Sequence, residues 1–131
     1  MSALPDTETI ETVTLPVTES VTAEALAASP DEKLPAVFAT PFMIAGMERA
    51  CAVLLEPLMG SDDVSVGAKI EVTHMAPTPV GATVRCHAQF EKHEGPLYWF
   101  HVWAEDDQRR IGKGRIARAI VRSADLMART A

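Results

Sequence analysis

One helix-length apolar stretch, followed by four strand-length segments on hairpin-length connections, leaves this chain few ways to fold. Along PFMIAGMERACAVLL, Pro41 to Leu55, the only charges are Glu48 and Arg49. A helix that is apolar on nearly every side is stable only when other structure wraps it. Thr40-Pro41 reads as an N-cap followed by proline at the first helical position, and Pro57 with the polar run after Met59 closes the helix. From there to residue 122 every segment has strand character. The segments are Val66 to Ala76, Thr83 to His93, Leu97 to Asp106 and Arg110 to Arg122, separated by PTPVG, EGP and DQR. Connections that short join antiparallel neighbours, so a meander is expected. A further strand, Glu11 to Thr18, precedes the helix, with Pro16 arguing for an edge, and Val21 to Pro30 reads as a short helix. The expectation is an α+β fold, a curved antiparallel sheet wrapped around one long central helix.

The 131 residues are expected to form a single domain, residues 1–131, with 1–10 and 124–131 frayed. The apolar runs are too short to span a bilayer, which takes about 20 residues, and the start lacks the basic and apolar regions of a secretory signal. A cytoplasmic protein is expected. Cys51 and Cys86 have no metal-like spacing and read as small buried hydrophobes, and neither a metal nor a cofactor is called for. A net charge of −6 disfavours nucleic acid as a partner. The charge is also uneven: residues 1 to 32 hold seven acids and no Lys or Arg, whereas Arg109 to Arg122 holds six bases and no acid. That stripe suits a polyanion such as the phosphates of coenzyme A, or else a solvated edge strand protected by charge. The strand Leu97 to Asp106 is apolar on both faces, which points to a second buried surface such as a subunit interface.

Two ionisable residues sit where apolar ones are expected. Glu48 has Ile44, Cys51, Ala52 and Leu55 as its neighbours along the helix. In AKIEVTHMA, alternation places Ala68, Ile70, Val72, His74 and Ala76 on one face and Lys69, Glu71 and Thr73 on the other. An unpartnered carboxylate in an apolar layer costs several kcal/mol, so the two groups are expected to meet at the helix-sheet interface. Such a pair is the raw material of general acid/base or nucleophilic chemistry. The plainer alternatives are a carboxylate satisfied by Arg49 or by backbone donors, and a core histidine bonded to a carbonyl. Cys51 has no base placed for it, and His87, His93 and His101 show no ligand spacing.

VFATPFMIAGMERAC (Val37 to Cys51), VGAKIEVTHMAPTPVG (Val66 to Gly81) and KGRIARAIV (Lys113 to Val121) closely resemble the fluoroacetyl-CoA thioesterase branch of the hotdog acyl-CoA thioesterases. The similarity covers roughly residues 35 to 122. It implies the hotdog fold, an acyl-CoA substrate, a homodimer or higher oligomer, and Thr40, Glu48 and His74 as the catalytic trio, His following Glu by 26 positions. Gly67 then resembles the backbone contact to the substrate carbonyl, its plainer alternative being a bulge glycine, and Arg118 a side chain near the acyl pocket. Within that reading Glu48 is either the nucleophile or the orienter of the base. Asp31-Glu32-Lys33-Leu34 stands where the family pattern has aromatic residues, and Pro41 where it has glycine, so the acyl preference does not carry over with the trio. A hotdog module that binds acyl-CoA or dimerises without turnover is the alternative from another class, and a hotdog dehydratase ranks below both.

Overall fold

The computed structural model describes residues 4–131, so the first three residues of the start expected to fray lie outside it. Helix α1 (Thr40–Leu55) buries Met43, Gly46, Met47, Ala50, Cys51 and Leu55, the three-and-four spacing of one helix face. Its end is a 3-10 turn, Glu56–Leu58, forced by Pro57, which cannot continue the α-helical ladder. Five strands surround it: β1 (Ile10–Pro16), β2 (Asp63–His74), β3 (Thr83–Glu94), β4 (Leu97–Glu105) and β5 (Arg110–Arg122). They form one antiparallel sheet in the order β1-β3-β4-β5-β2. This is the hotdog arrangement. The core lies between α1 and the inner sheet face, where Val84, Cys86, Ala88, Phe90, Phe100, Val102 and Ile116 meet the buried helix residues. The helix lies so close on β3 that a Cβ on Gly46 would come within 2.6 Å of the Cys86 sulfur.

Several expectations change. The segment after β1 makes two 3-10 turns, Glu19–Val21 and Glu24–Leu26, instead of a helix. The SADLMARTA stretch is short and helical as its residues allow, Ser123–Ala128 forming α2. The basic stripe is not an edge strand. β5 is sandwiched between β4 and β2, and the edges are β1, which carries Pro16, and β2. On the second apolar face of β4, Trp99 is covered within the chain. Trp99 is only 7% exposed because the Arg115 guanidinium lies over its ring at 4.2 Å, and Glu91 holds that guanidinium with two bonds.

The pairing of β2 with β5 contains the feature that shapes the site. Its register shifts between Gly67 and Lys69, so Ala68 is an extra residue, a β-bulge. A one-residue insertion reverses the parity of everything before it. Ile70, Val72 and His74 keep the inward face that alternation assigns them, Ala68 does not, and Gly67 and Ser65 turn inward.

Gly114, opposite Val72, admits no side chain: a Cβ there would strike the Glu71 carbonyl oxygen and stand 2.7 Å from the Val72 Cα. Backbone cannot swing aside as a side chain can. Gly114→Ala is expected to destabilise the fold by about 3 kcal/mol, read from the urea unfolding midpoint.

Candidate active site

Thr40 does not cap α1. The capping position belongs to Ala39, which makes no side-chain cap bond, and the Thr40 hydroxyl instead pairs with Nδ1 of His74 at 2.7 Å. The two are brought together by a belt of backbone bonds at the helix start. Phe38 N–H donates to the Thr78 carbonyl and Ala39 N–H to that of Val21, both at 2.9 Å. Past His74 the N–H groups of Met75 and Ala76 both donate to the Ile111 carbonyl, at 2.6 and 3.3 Å, which fixes the end of β2. Buried Thr78 donates its hydroxyl to Asp106, whose other oxygen accepts from the N–H groups of Gln108 and Arg109, locking the β4–β5 turn beside this belt.

With Nδ1 on Thr40, the other ring nitrogen of His74, Nε2, is buried and has no hydrogen-bond partner among the described residues. An orphaned buried nitrogen costs about 1–3 kcal/mol and marks a place where a partner belongs. Burial also lowers the His74 pKa below its ordinary 6.5, and the Ala76 backbone only partly offsets this. The imidazole is therefore neutral at pH 7, in the form that accepts a proton. Thr40 and His74 line an open cleft of about 410 Å³ whose other walls include Ala23, Pro35, Val37, Met75 and Ala76.

Glu48 lies elsewhere in the chain. It is eight residues beyond Thr40, roughly 12 Å along the helix axis. Its Oε2 accepts from an Arg118 guanidinium nitrogen at 2.6 Å and lies over Gly67, so closely that any Cβ at residue 67 would collide with it. Among the described residues neither Arg49 nor a backbone donor satisfies it. Arg118 is fixed in turn by Ser65, its Nη2 donating to the carbonyl at 2.9 Å and to the hydroxyl at 3.1 Å, with Nε 3.3 Å from the same hydroxyl. The Glu48 side chain is 26% exposed and that of Arg118 only 11%, so the pair is partly dry and the carboxylate is an immobilised anion. The other carboxylate oxygen, Oε1, has no protein partner among the described residues.

The five candidate residues thus fall into two groups, Thr40 with His74 and Glu48 with Gly67 and Arg118, and the expected meeting of Glu48 and His74 within one chain does not occur. Ser65 was missed because strand alternation turns it outward unless the bulge at Ala68 is known; the only cue was the flanking pair of small residues Gly67-Ala68.

The cysteines are no part of this chemistry. Cys51 and Cys86 are free and fully buried, and burial pushes both thiols up to about 12. Iodoacetamide at pH 8 is expected to leave both unmodified in the folded protein and to alkylate both in urea, as counted by mass spectrometry.

The family model described as FlK, fluoroacetyl-CoA-specific thioesterase, matches residues 17–124. A curated protein of Streptantibioticus cattleyicolor, named fluoroacetyl-CoA thioesterase, is 39% identical over 89 residues, 68% of this chain and 64% of that protein. The chain thus matches just under two thirds of that relative's length. The solved structure of fluoroacetyl-CoA thioesterase FlK superposes with a TM-score of 0.88 at 32% identity, covering 98% of this chain and 94% of the other. A Thermus thermophilus protein described as a thioesterase superfamily member gives a TM-score of 0.87 at 26% identity over 99% and 93%.

Proposed function

Since this chain belongs to the family of fluoroacetyl-CoA-specific thioesterases, we propose that it hydrolyses a short-chain acyl-CoA, with fluoroacetyl-CoA one member of the class, to the free acid and CoA. The observation that carries this reading is the state of His74: neutral, pinned at Nδ1 by Thr40, and unpartnered at Nε2 beside an open cleft. In the tautomer whose Nδ1–H donates to Thr40, Nε2 bears the lone pair and takes a proton from water as its oxygen attacks the thioester carbon. The resulting oxyanion is stabilised by backbone N–H groups near Gly67 or the start of α1. As the C–S bond breaks, the proton returns from Nε2 to the departing thiolate, leaving acid and thiol. Glu48, a fixed anion whose Oε1 has no partner among the described residues, orients the water and stabilises the imidazolium. Its tight pairing with Arg118 favours that role over attack on the substrate.

Bringing Glu48 to His74 requires a second copy of the chain, and we propose a homodimer through β2. This edge strand is 12 residues long and pairs on one side only, with β5. Ile70 on it is 46% exposed, and an unpaired edge of this length is a template for another strand. Antiparallel pairing of two β2 strands about an axis near Ile70–Glu71 sets Gly67, with Glu48 over it, across from the partner's His74. Each active site then draws on both chains.

The loop Asp31–Leu34 is exposed and carries no aromatic side chain to close the cleft, so we propose a substrate range wider than one acyl group. No helix among the described residues is long and apolar enough to cross a membrane. We place the protein in the cytoplasm, in keeping with its two reduced cysteines. The test is thiol release from acetyl-, fluoroacetyl-, propionyl- and butyryl-CoA. Release above the buffer rate from at least one is expected, whereas binding without release from any would leave a non-catalytic module.

A further inference from the structure

The fold divides the six bases between Arg109 and Arg122; Arg109 sits in the β4–β5 turn, its N–H on the Asp106 carboxylate that its charge also faces. Arg118 turns inward to Glu48 and Ser65, Arg115 is held by Glu91 over Trp99, and Arg122 stands 4.0 Å from Asp62. The acids of the outer sheet face are committed as well. Glu91 and Glu71 lie against Arg115, the latter at 3.8 Å, while Glu105 bonds His87 at 2.8 Å and stands 3.6 Å from Arg85. Arg110 and Lys113 are left with no acid partner among the described residues. The Arg110 guanidinium lies 5.9 Å from the Trp103 ring, and Lys113 is directly opposite Trp103 in the β4–β5 register. Both line a hollow of about 350 Å³ on the outer face, together with Glu71, Thr73, His101, Trp103 and Arg115. Arg110, Lys113 and Arg115 outnumber the one carboxylate, Glu71, that lines the hollow, an excess of positive charge in a chain of net charge −6.

The hollow and the catalytic cleft meet at one strand end. Thr73 pairs with Lys113 and faces the hollow, while the next residue, His74, pairs with Gly112 and faces the cleft. A ligand that turns round the end of β2 at Met75 reaches both.

We infer that Arg110 and Lys113 seat the phosphates of the substrate's coenzyme A portion on this outer face, while the pantetheine arm passes round the end of β2 to the Thr40–His74 cleft. The ligand named here rests on the thioesterase reading; the anion site rests on the charges. Arg offers a fork to two phosphate oxygens and Lys a point charge, and both contacts weaken as salt rises.

The experiment is isothermal titration of the full chain with CoA, pantetheine and ADP at low and moderate salt. The variants are Lys113→Gln, Arg110→Gln, the charge-keeping Lys113→Arg, and Arg129→Gln as a control for net charge, with the fold of each checked by circular dichroism. The Kd for CoA is expected to rise about tenfold in Lys113→Gln and in Arg110→Gln, the scale of one charge-assisted hydrogen bond, and to recover in Lys113→Arg. CoA affinity equal to wild type in both Gln variants overturns the assignment. So does ADP binding as tightly as CoA, because the site would then serve nucleotides and not a thioester carrier. Binding is read without turnover, so failure of the hydrolase reading would show separately, as no thiol release despite Lys113-dependent CoA binding.

Discussion

Replacing His74 with alanine is expected to lower kcat for thioester hydrolysis roughly 1,000-fold, within the range that a positioned general base contributes. The residue that accepts the proton is then gone, while the fold keeps its core, because His74 packs beside an open cleft and not among the fully buried residues. Thiol release under saturating substrate measures the loss, and circular dichroism checks the fold. A His74→Ala enzyme within threefold of wild type would make the histidine structural. The pH profile supplies a second readout. Burial lowers the His74 pKa, so the acid limb of kcat/KM is expected to have its midpoint below 6.5. Stability follows the same sign. The unfolded chain takes up this proton near 6.5 and the folded chain only at lower pH, so the contribution of neutral His74 is complete above 6.5 and is lost as pH falls through the folded value.

How much of this was legible in the sequence depended on whether the relevant physics is local. The buried stripe of α1 and the inward face Val84, Cys86, Ala88 and Phe90 of β3 follow from periodicity, which neighbours in the chain determine. Strand order does not. Nothing local says that β2 returns to the far side of β5, which is why the basic stripe looked like an edge and proved to be interior. The bulge at Ala68 was equally hidden, since one extra residue changes no composition yet turns Ser65 and Gly67 toward Glu48. Thr40 was ambiguous for another reason. Its type and place before Pro41 suit a cap as well as they suit a contact to His74, and only the belt of bonds around Thr78 and Ile111 decides between them. Trp99 misled because a flat arginine covers an aromatic face as completely as another protein would. In each case long-range contacts overrode a sound local expectation.

Glu48→Gln tests both the chemistry and the assembly. Glutamine still offers a carbonyl oxygen to Arg118, so the nearly buried guanidinium is not left bare and the fold is expected to persist. What is lost is the negative charge, and kcat is expected to fall roughly 1,000-fold, as for removal of a fixed charge from a water-excluded site. A single turnover in oxygen-18 water tests for the covalent route: label recovered in Glu48 requires an anhydride opened at the glutamyl carbon, whereas direct attack by water leaves Glu48 unlabelled and the label in the product acid. The decisive arrangement mixes two inactive proteins. If each site takes Glu48 from one chain and His74 from the other, a heterodimer of Glu48→Gln and His74→Ala chains carries both lesions in one site and none in the other. Random pairing makes about half the dimers mixed, each with one intact site of two, so about a quarter of wild-type activity is expected to return on unfolding and refolding the two together. Were Glu48 and His74 to act within one chain, every site in the mixture would carry a lesion and no activity would return.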